Sequence, residues 1–196
     1  MHVPEDYQQP GGRWISFPLA RFGTPTGQQA GTPVLHLGGG GPGAALIGLR
    51  DLDIDALLAA YAPLSLWRGH ELLVIDPRGS GLAEPNLRCP ELLDALPGIL
   101  DLPDNRQRGE QTGLASAACH RRLVAAGVDP GQYHSRNVSR DIEALRQALQ
   151  VTSWDLYGVS YASRYALTLI RDFPSTVRSA VLDSPVFPGV NYAERA

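Results

Sequence analysis

The 196-residue chain contains no lysine, since all 17 of its basic residues are arginine. That absence removes a Schiff-base lysine, a phosphate-loop lysine and a Ser-Lys dyad from the available chemistries. Base-composition bias in the coding sequence explains the skew without invoking function. Cysteine is nearly as scarce. Cys89 and Cys119 allow one bridge at most, so the chain is not a disulfide scaffold. They are far apart and no Cys-x-x-Cys occurs, so no metal site is expected. Basic charge is not in excess: 17 basic residues face 20 acidic ones, for a net charge of −3 and a pI near 5.9. Neither a nucleic acid nor a membrane is expected as a partner, because phosphate binding needs a clustered basic surface. Long apolar runs are missing too. The longest, Ala56 to Trp67, is too short to span a bilayer and contains Pro63. The opening residues, Met1-His2-Val3-Pro4, carry neither the basic nor the apolar region of a signal peptide. No repeat period is present.

What the sequence does contain is glycine and proline, 21 and 16 residues, above the usual share of roughly 12%. Many tight turns follow. Hydrophobic residues at 43% are enough for a core. Residues 13–21 read as a strand whose proline suggests a sheet edge. Pro33 to Leu37 and Glu71 to Asp76 read as buried strands, and their continuous apolar character suits a parallel sheet covered on both faces. Residues 53–60 look helical, 77–112 read as loop, and 113–126 return to a helical pattern. A helix is expected over 139–149, a strand over 154–158, a helix from 162 to 173 stopped by Pro174, and a strand over 177–183. Strands alternating with helices mean an α/β domain with a mostly parallel sheet and flanking helices.

Gly158-Val159-Ser160-Tyr161-Ala162 joins a strand to an amphipathic helix, the context of a nucleophile elbow. A serine on a strained strand-to-helix turn needs tiny neighbours two residues away. Gly158 meets this fully, and Ala162 adds one methyl group. The turn places Ser160 at a helix N-terminus, and the Tyr161 N–H is expected to face a developing oxyanion. A second donor has to come from a loop after an earlier strand. Leu37 to Gly43 is such a loop, with the Gly40 N–H the expected donor and Gly41 beside it. Glycines there allow close approach and positive φ. The same run matches a dinucleotide fingerprint, Gly38-x-Gly40-x-x-Gly43. Pro42 interrupts it, and Asp51, Asp53 and Asp55 fall in a helical stretch rather than after a strand. A nucleotide-binding domain is therefore the weaker alternative. In Asp76-Pro77-Arg78-Gly79-Ser80-Gly81, the side chains Asp76 and Arg78 read as a structural turn pinning a loop by ion pairing.

Taken together, these segments resemble the proline-iminopeptidase group of α/β-hydrolases, and within it the secreted tripeptidyl-aminopeptidase-like branch. The family's His-Gly-Gly-Pro-Gly loop appears as Gly39-Gly40-Gly41-Pro42-Gly43, with glycine for histidine. Its Asp-Gln-Arg-Gly-x-Gly appears as Asp76-Pro77-Arg78-Gly79-Ser80-Gly81. Glu84-Pro85, Cys89-Pro90-Glu91 and Cys119 resemble the branch's continuation. Asp141 to Arg146 resembles its helix before the nucleophile strand, and Leu182-Asp183-Ser184 the strand after the nucleophile helix. Val3-Pro4-Glu5-Asp6 resembles the start of its first hairpin.

The resemblance implies an α/β-hydrolase sheet and a serine peptidase that releases N-terminal residues or short peptides through an acyl-enzyme at Ser160. It implies no cofactor, and a peptide or small acyl compound as substrate. It implies an exported enzyme, and a disulfide between Cys89 and Cys119 pinning residues 86–120; the residues alone leave free thiols equally open. The family's order is Ser, then acid, then His, yet His2, His36, His70, His120 and His134 all precede Ser160. Asp172, Asp183 and Glu194 follow it, and Asp183 is the one at a strand end. His36 reads as structural, and His134 falls in a loop. The expectation is that residues 1–196 form the N-terminal part of one hydrolase core, ending after the sixth strand. Cap, triad acid and triad base would then come from a further C-terminal segment or a complementing chain. A non-catalytic fragment or pseudoenzyme, and an esterase-type hydrolase, are the alternatives.

Overall fold

The computed structural model describes residues 1–23, 31–39, 45–47, 59 and 69–187. The chain divides into two compact units: Met1–Asn86 with His134–Ala196, and Leu87–Tyr133.

The first unit opens with a two-stranded antiparallel hairpin, β1 (His2–Pro4) and β2 (Trp14–Ser16). Its main sheet has five strands: β3 (Leu19–Phe22), β4 (Val34–Leu37), β5 (Leu72–Ile75), β6 (Trp154–Val159) and β7 (Val177–Asp183). Their order is β3-β5-β4-β6-β7. β3 runs antiparallel to β5, and all other pairs are parallel. Every residue of β4 and β5 is buried, as continuous apolar runs in a covered parallel sheet should be. The single strand expected over 13–21 is two. Pro18 has no N–H to continue a ladder, so the chain leaves β2 there and re-enters the main sheet as β3, at its edge. The helix expected over 53–60 lies outside the described residues except at Ala59.

Two expected helices of this unit are present, the first starting four residues before the expected position 139. The helix Ser135–Ala148 begins at His134, whose Nδ1 accepts the Asn137 N–H at 3.3 Å. The helix Ala162–Asp172 ends before Pro174, a residue that cannot continue the backbone ladder. Their packing is stitched by the Ser139 hydroxyl, which donates to the Tyr165 carbonyl at 2.9 Å.

The second unit corrects the loop expected over 77–112. It holds a helix at Pro90–Leu100, called α1, and another at Asn105–Ala125, called α2. Helices Ser135–Ala148 and Ala162–Asp172 are α3 and α4. Proline in the first turn of α1 is preorganised for helix, and Glu91 there meets the positive end of the dipole. Asp104 caps α2 by accepting the Gln107 N–H at 2.8 Å, which starts the helix eight residues before the expected position 113. The centre of this unit is small: Cys119, Leu123 and Val128, with Leu87, Cys89 and Tyr133 against them. Cys89 and Cys119 form a disulfide. Closing a loop of sequence separation 30 stabilises by about 3–4 kcal/mol in the chain-entropy description.

One buried ionic cluster ties distant parts of the first unit together. Arg78 grips Asp141 of α3 with two bonds, Nε to Oδ2 at 2.7 Å and Nη2 to Oδ1 at 2.6 Å. The pair is almost fully desolvated, with side-chain exposures of 0% and 3%. Arg78 also donates to the carbonyls of Glu5 and Pro4, and the Tyr7 hydroxyl donates to Asp141 at 2.8 Å. The hairpin, the segment after β5 and α3 thus share one charge pair. Burial pushes the Asp141 carboxyl up against the opposing pull of Arg78 and Tyr7. Removing one partner strands a charge in the interior. Arg78→Met is expected to lower the unfolding free energy by about 3–5 kcal/mol, and Arg78→Met with Asp141→Leu to recover most of it, read by urea denaturation.

His36 sits inside β4, its ring centroid 5.0 Å from that of Tyr157. Burial alone lowers its pKa from 6.5 to about 4. An unfolded chain therefore takes up a proton at His36 below about pH 6.5, while the folded one resists until about pH 4. Stability falls as pH drops through that window, by on the order of 3 kcal/mol for this one group. Urea unfolding at pH 7 and pH 4.5 should show that loss, and His36→Leu should shrink it.

Candidate active site

The site is built where β6 gives way to α4. Ser160 follows the last residue of β6 with φ of +51°, a left-handed conformation that non-glycine residues adopt at a cost. Several bonds hold it there. Its N–H donates to the Asp183 carbonyl at the end of β7, at 2.8 Å. Its own carbonyl accepts from the Ser163 N–H at 3.1 Å and the Ser163 hydroxyl at 2.5 Å. Ser163 in turn accepts the Val186 N–H at 2.7 Å, so the segment after β7 is tied to the same turn.

Small residues make the crossover fit. A Cβ at Gly158 would lie 3.3 Å from Leu182 Cδ2 and 3.6 Å from Ala166 Cβ, so even a methyl group there would press on Leu182. Ala162 is fully buried, so its methyl group is accommodated where strand and helix approach. Ser160 and Tyr161 are half-buried at the start of the helix. The Tyr161 ring stands edge-on to Tyr165 at 6.3 Å, with the Arg164 guanidinium 6.0 Å from its centroid.

The glycine loop leaves the sheet at the same end. β4 and β6 are parallel neighbours with Leu37 level with Gly158, so Gly38 and Gly39 emerge beside the Ser160 turn. A Cβ on Gly39 would lie 2.9 Å from the Val159 carbonyl and 3.3 Å from Ser160 Cβ. Close approach is what this glycine provides. Neither Gly38 nor Gly39 has positive φ, so the left-handed backbone expected of the loop is not found at its described residues. Gly40 and Gly41, the expected oxyanion donor and its neighbour, lie outside the described residues. The Tyr165 hydroxyl donates to the Gly38 carbonyl at 3.1 Å.

Beyond the glycines, the chain is held by Asp76. Its fully buried carboxylate accepts the N–H groups of Leu46 at 2.6 Å, Ile47 at 2.8 Å and Leu82 at 3.4 Å. Gly81, at φ +54°, leaves room for it, because a Cβ there would collide with the carboxylate. The turn after β5 is structural, as expected, and the ion pair of Arg78 is made with Asp141. The bonds from Leu46 and Ile47 to Asp76 join positions about 30 residues apart and leave no local mark in the sequence. Ser163 and Tyr165 also escaped notice, because a serine and an aromatic on a helix read as packing.

No histidine bonds to Ser160 among the described residues. His36 is buried in β4, His134 caps α3, and His70 Nδ1 contacts the Thr32 carbonyl at 2.8 Å. Burial and the nearby Arg78 lower the His134 pKa. His2 and His120 are exposed. Asp183 stands at the end of β7 beside the Ser160 turn, its carboxylate accepting from Ser184 Oγ at 2.9 Å and from the Tyr157 hydroxyl at 3.4 Å. Asp172 is paired with Arg171 at the far end of α4, and Glu194 lies outside the described residues. No group of three or more His, Cys, Asp or Glu suited to a metal ion occurs among the described residues.

The chain is similar to several proteins of known name. The chain is 28% identical over 208 residues to serine protease Hip1 of Mycobacterium tuberculosis, covering 98% of this chain and 36% of that protein. It is 29% identical over 206 residues to carboxylesterase B of the same organism, covering 99% and 37%. It is 28% identical over 190 residues to tripeptidyl aminopeptidase of Streptomyces coelicolor, covering 95% and 34%. The chain thus spans about a third of the length of these relatives. Among solved structures, the proline iminopeptidase-related protein of Thermus thermophilus superposes with a TM-score of 0.52 at 18% identity, over 94% of this chain and 44% of that one. A family model described as the alpha/beta hydrolase fold matches residues 34–196, from the first residue of β4 through the Ser160 turn and β7. With its parallel sheet, its glycine loop and its strained serine at one end of that sheet, the chain belongs to the alpha/beta hydrolase fold family.

Proposed function

We propose that Ser160 is the nucleophile of a serine peptidase of aminopeptidase type, and that residues 1–196 are the N-terminal part of its hydrolase core. The observation that carries this reading is the left-handed Ser160 with Gly39 packed against it at the strand ends. In this reading the Ser160 hydroxyl adds to the acyl carbon of a peptide bond and its proton passes to a general base. The carbonyl oxygen becomes an oxyanion held by the N–H groups of Tyr161 and Gly40, with Gly41 lining the loop. The base then protonates the departing amine, leaving an acyl-enzyme that water hydrolyses. The acid and base come from outside these 196 residues, from a further segment or a complementing chain, in keeping with relatives nearly three times as long. The serine protease match favours a peptide substrate, and the tripeptidyl aminopeptidase match favours release of short peptides from the N-terminus. The carboxylesterase B match supports an ester substrate as the second reading.

A fluorophosphonate probe applied to the intact encoded protein is expected to label Ser160, mapped by peptide mass spectrometry, and to leave Ser160→Ala unlabelled. Absence of label would remove the nucleophile assignment. The 196-residue chain alone is expected to hydrolyse p-nitrophenyl acetate at close to the background rate, since a serine without its base is a weak nucleophile. Ordinary enzymatic turnover by that chain, lost in Ser160→Ala, would place the base inside it.

Backbone strain at the nucleophile has a measurable counterpart. Ser160→Gly relieves the left-handed strain and is expected to raise the unfolding free energy by about 1 kcal/mol while abolishing labelling. Ser160→Val, β-branched at the same φ, is expected to lower it.

A further inference from the structure

Resting on the assignment of Ser160 as nucleophile, we propose that Tyr165 is a positioning residue whose hydroxyl holds the Gly38–Gly39 peptide in one orientation beside that serine. The peptide needs such a hold. It lies between two residues without Cβ, so rotation of the whole amide plane about its flanking bonds meets little steric resistance. An amide plane is rigid and this one is trans, so fixing the Gly38 carbonyl also fixes the Gly39 N–H on the opposite side. It fixes as well the direction in which the chain leaves Gly39. Tyr165 supplies the fixed point, with its hydroxyl 3.1 Å from the Gly38 oxygen.

Tyr165 is well placed for this. It is 3% exposed, and its carbonyl is held by Ser139 of α3. Its ring is braced edge-on by Tyr161. It sits in the second turn of α4, five residues beyond Ser160, which occupies the turn leading into that helix. Burial, with the charges of Tyr161 and Asp76, raises the Tyr165 pKa, so the hydroxyl stays a donor throughout the working pH range. Asp76 holds the loop at Leu46 and Ile47; Tyr165 holds it at its origin.

The test is Tyr165→Phe in the intact encoded protein, which removes the donor and keeps the ring. Three quantities are read: kcat and KM for p-nitrophenyl acetate, and the second-order rate of Ser160 phosphonylation by a fluorophosphonate. Each is normalised to active sites by burst titration, so that misfolded molecules are not counted. A lock on the oxyanion loop acts in the transition state, so kcat and the phosphonylation rate should both fall on the order of ten-fold with KM within two-fold of the parent. A variant whose kcat and phosphonylation rate stay within two-fold of the parent overturns the proposal. So does one whose KM rises at constant kcat, since that is a loss of ordinary binding. Failure of the parent itself to label at Ser160 removes the nucleophile assignment and this inference with it, and is distinguished because the unmutated arm fails.

Discussion

A serine in left-handed backbone between β6 and α4 is the constraint on which the candidate site rests. The conformation costs about 1–2 kcal/mol, and an interrupted strand leaves a peptide N–H without its ladder partner. Both difficulties are met by neighbours. The Asp183 carbonyl takes the Ser160 N–H, and Ser163 returns two bonds to the Ser160 carbonyl. β7 therefore contributes to the site through its backbone, by fixing the turn. The small residues Gly158 and Ala162 are what let helix and strand come near enough for these bonds to form.

Much of this was legible in the sequence because it is enforced locally. Parallel strands covered on both faces are expected to be largely apolar, and β4 and β5 announce themselves that way. The strained turn demands small residues at fixed offsets, so Gly158, Ser160 and Ala162 mark it. α1 was hidden because Pro97 and Gly98 stand inside it and read as loop signals, although Asp104 was a visible cap for the helix after it. Pairings between distant positions left no local trace. Arg78 and Asp141 are 63 residues apart and Tyr165 and Gly38 are 127 apart, so no window of sequence contains both partners. The glycine loop shows the limit of motif reading in another way. Its composition suggested left-handed turns, and its first described residues instead use the missing side chain for closeness to Val159 and Ser160.

The absence of lysine takes on structural meaning in the ion pairs. Arg78 with Asp141, Arg122 with Glu91 and Arg146 with Glu143 each set two guanidinium nitrogens against a carboxylate. An ammonium group, a compact point charge, does not reproduce that planar fork. The more exposed Arg122–Glu91 fork contributes little to stability, whereas the buried Arg78–Asp141 fork holds three segments in register. Arginine at position 78 is thus a geometric requirement as well as a charge.

The Leu87–Tyr133 unit gathers so few apolar side chains that its covalent cross-link does much of what a core does elsewhere. Where glutathione keeps sulfur reduced, as in the cytosol of an ordinary expression host, this helical pair would open first. Proteases would then find their cuts within it, leaving the sheet and the serine turn as the fragments that survive.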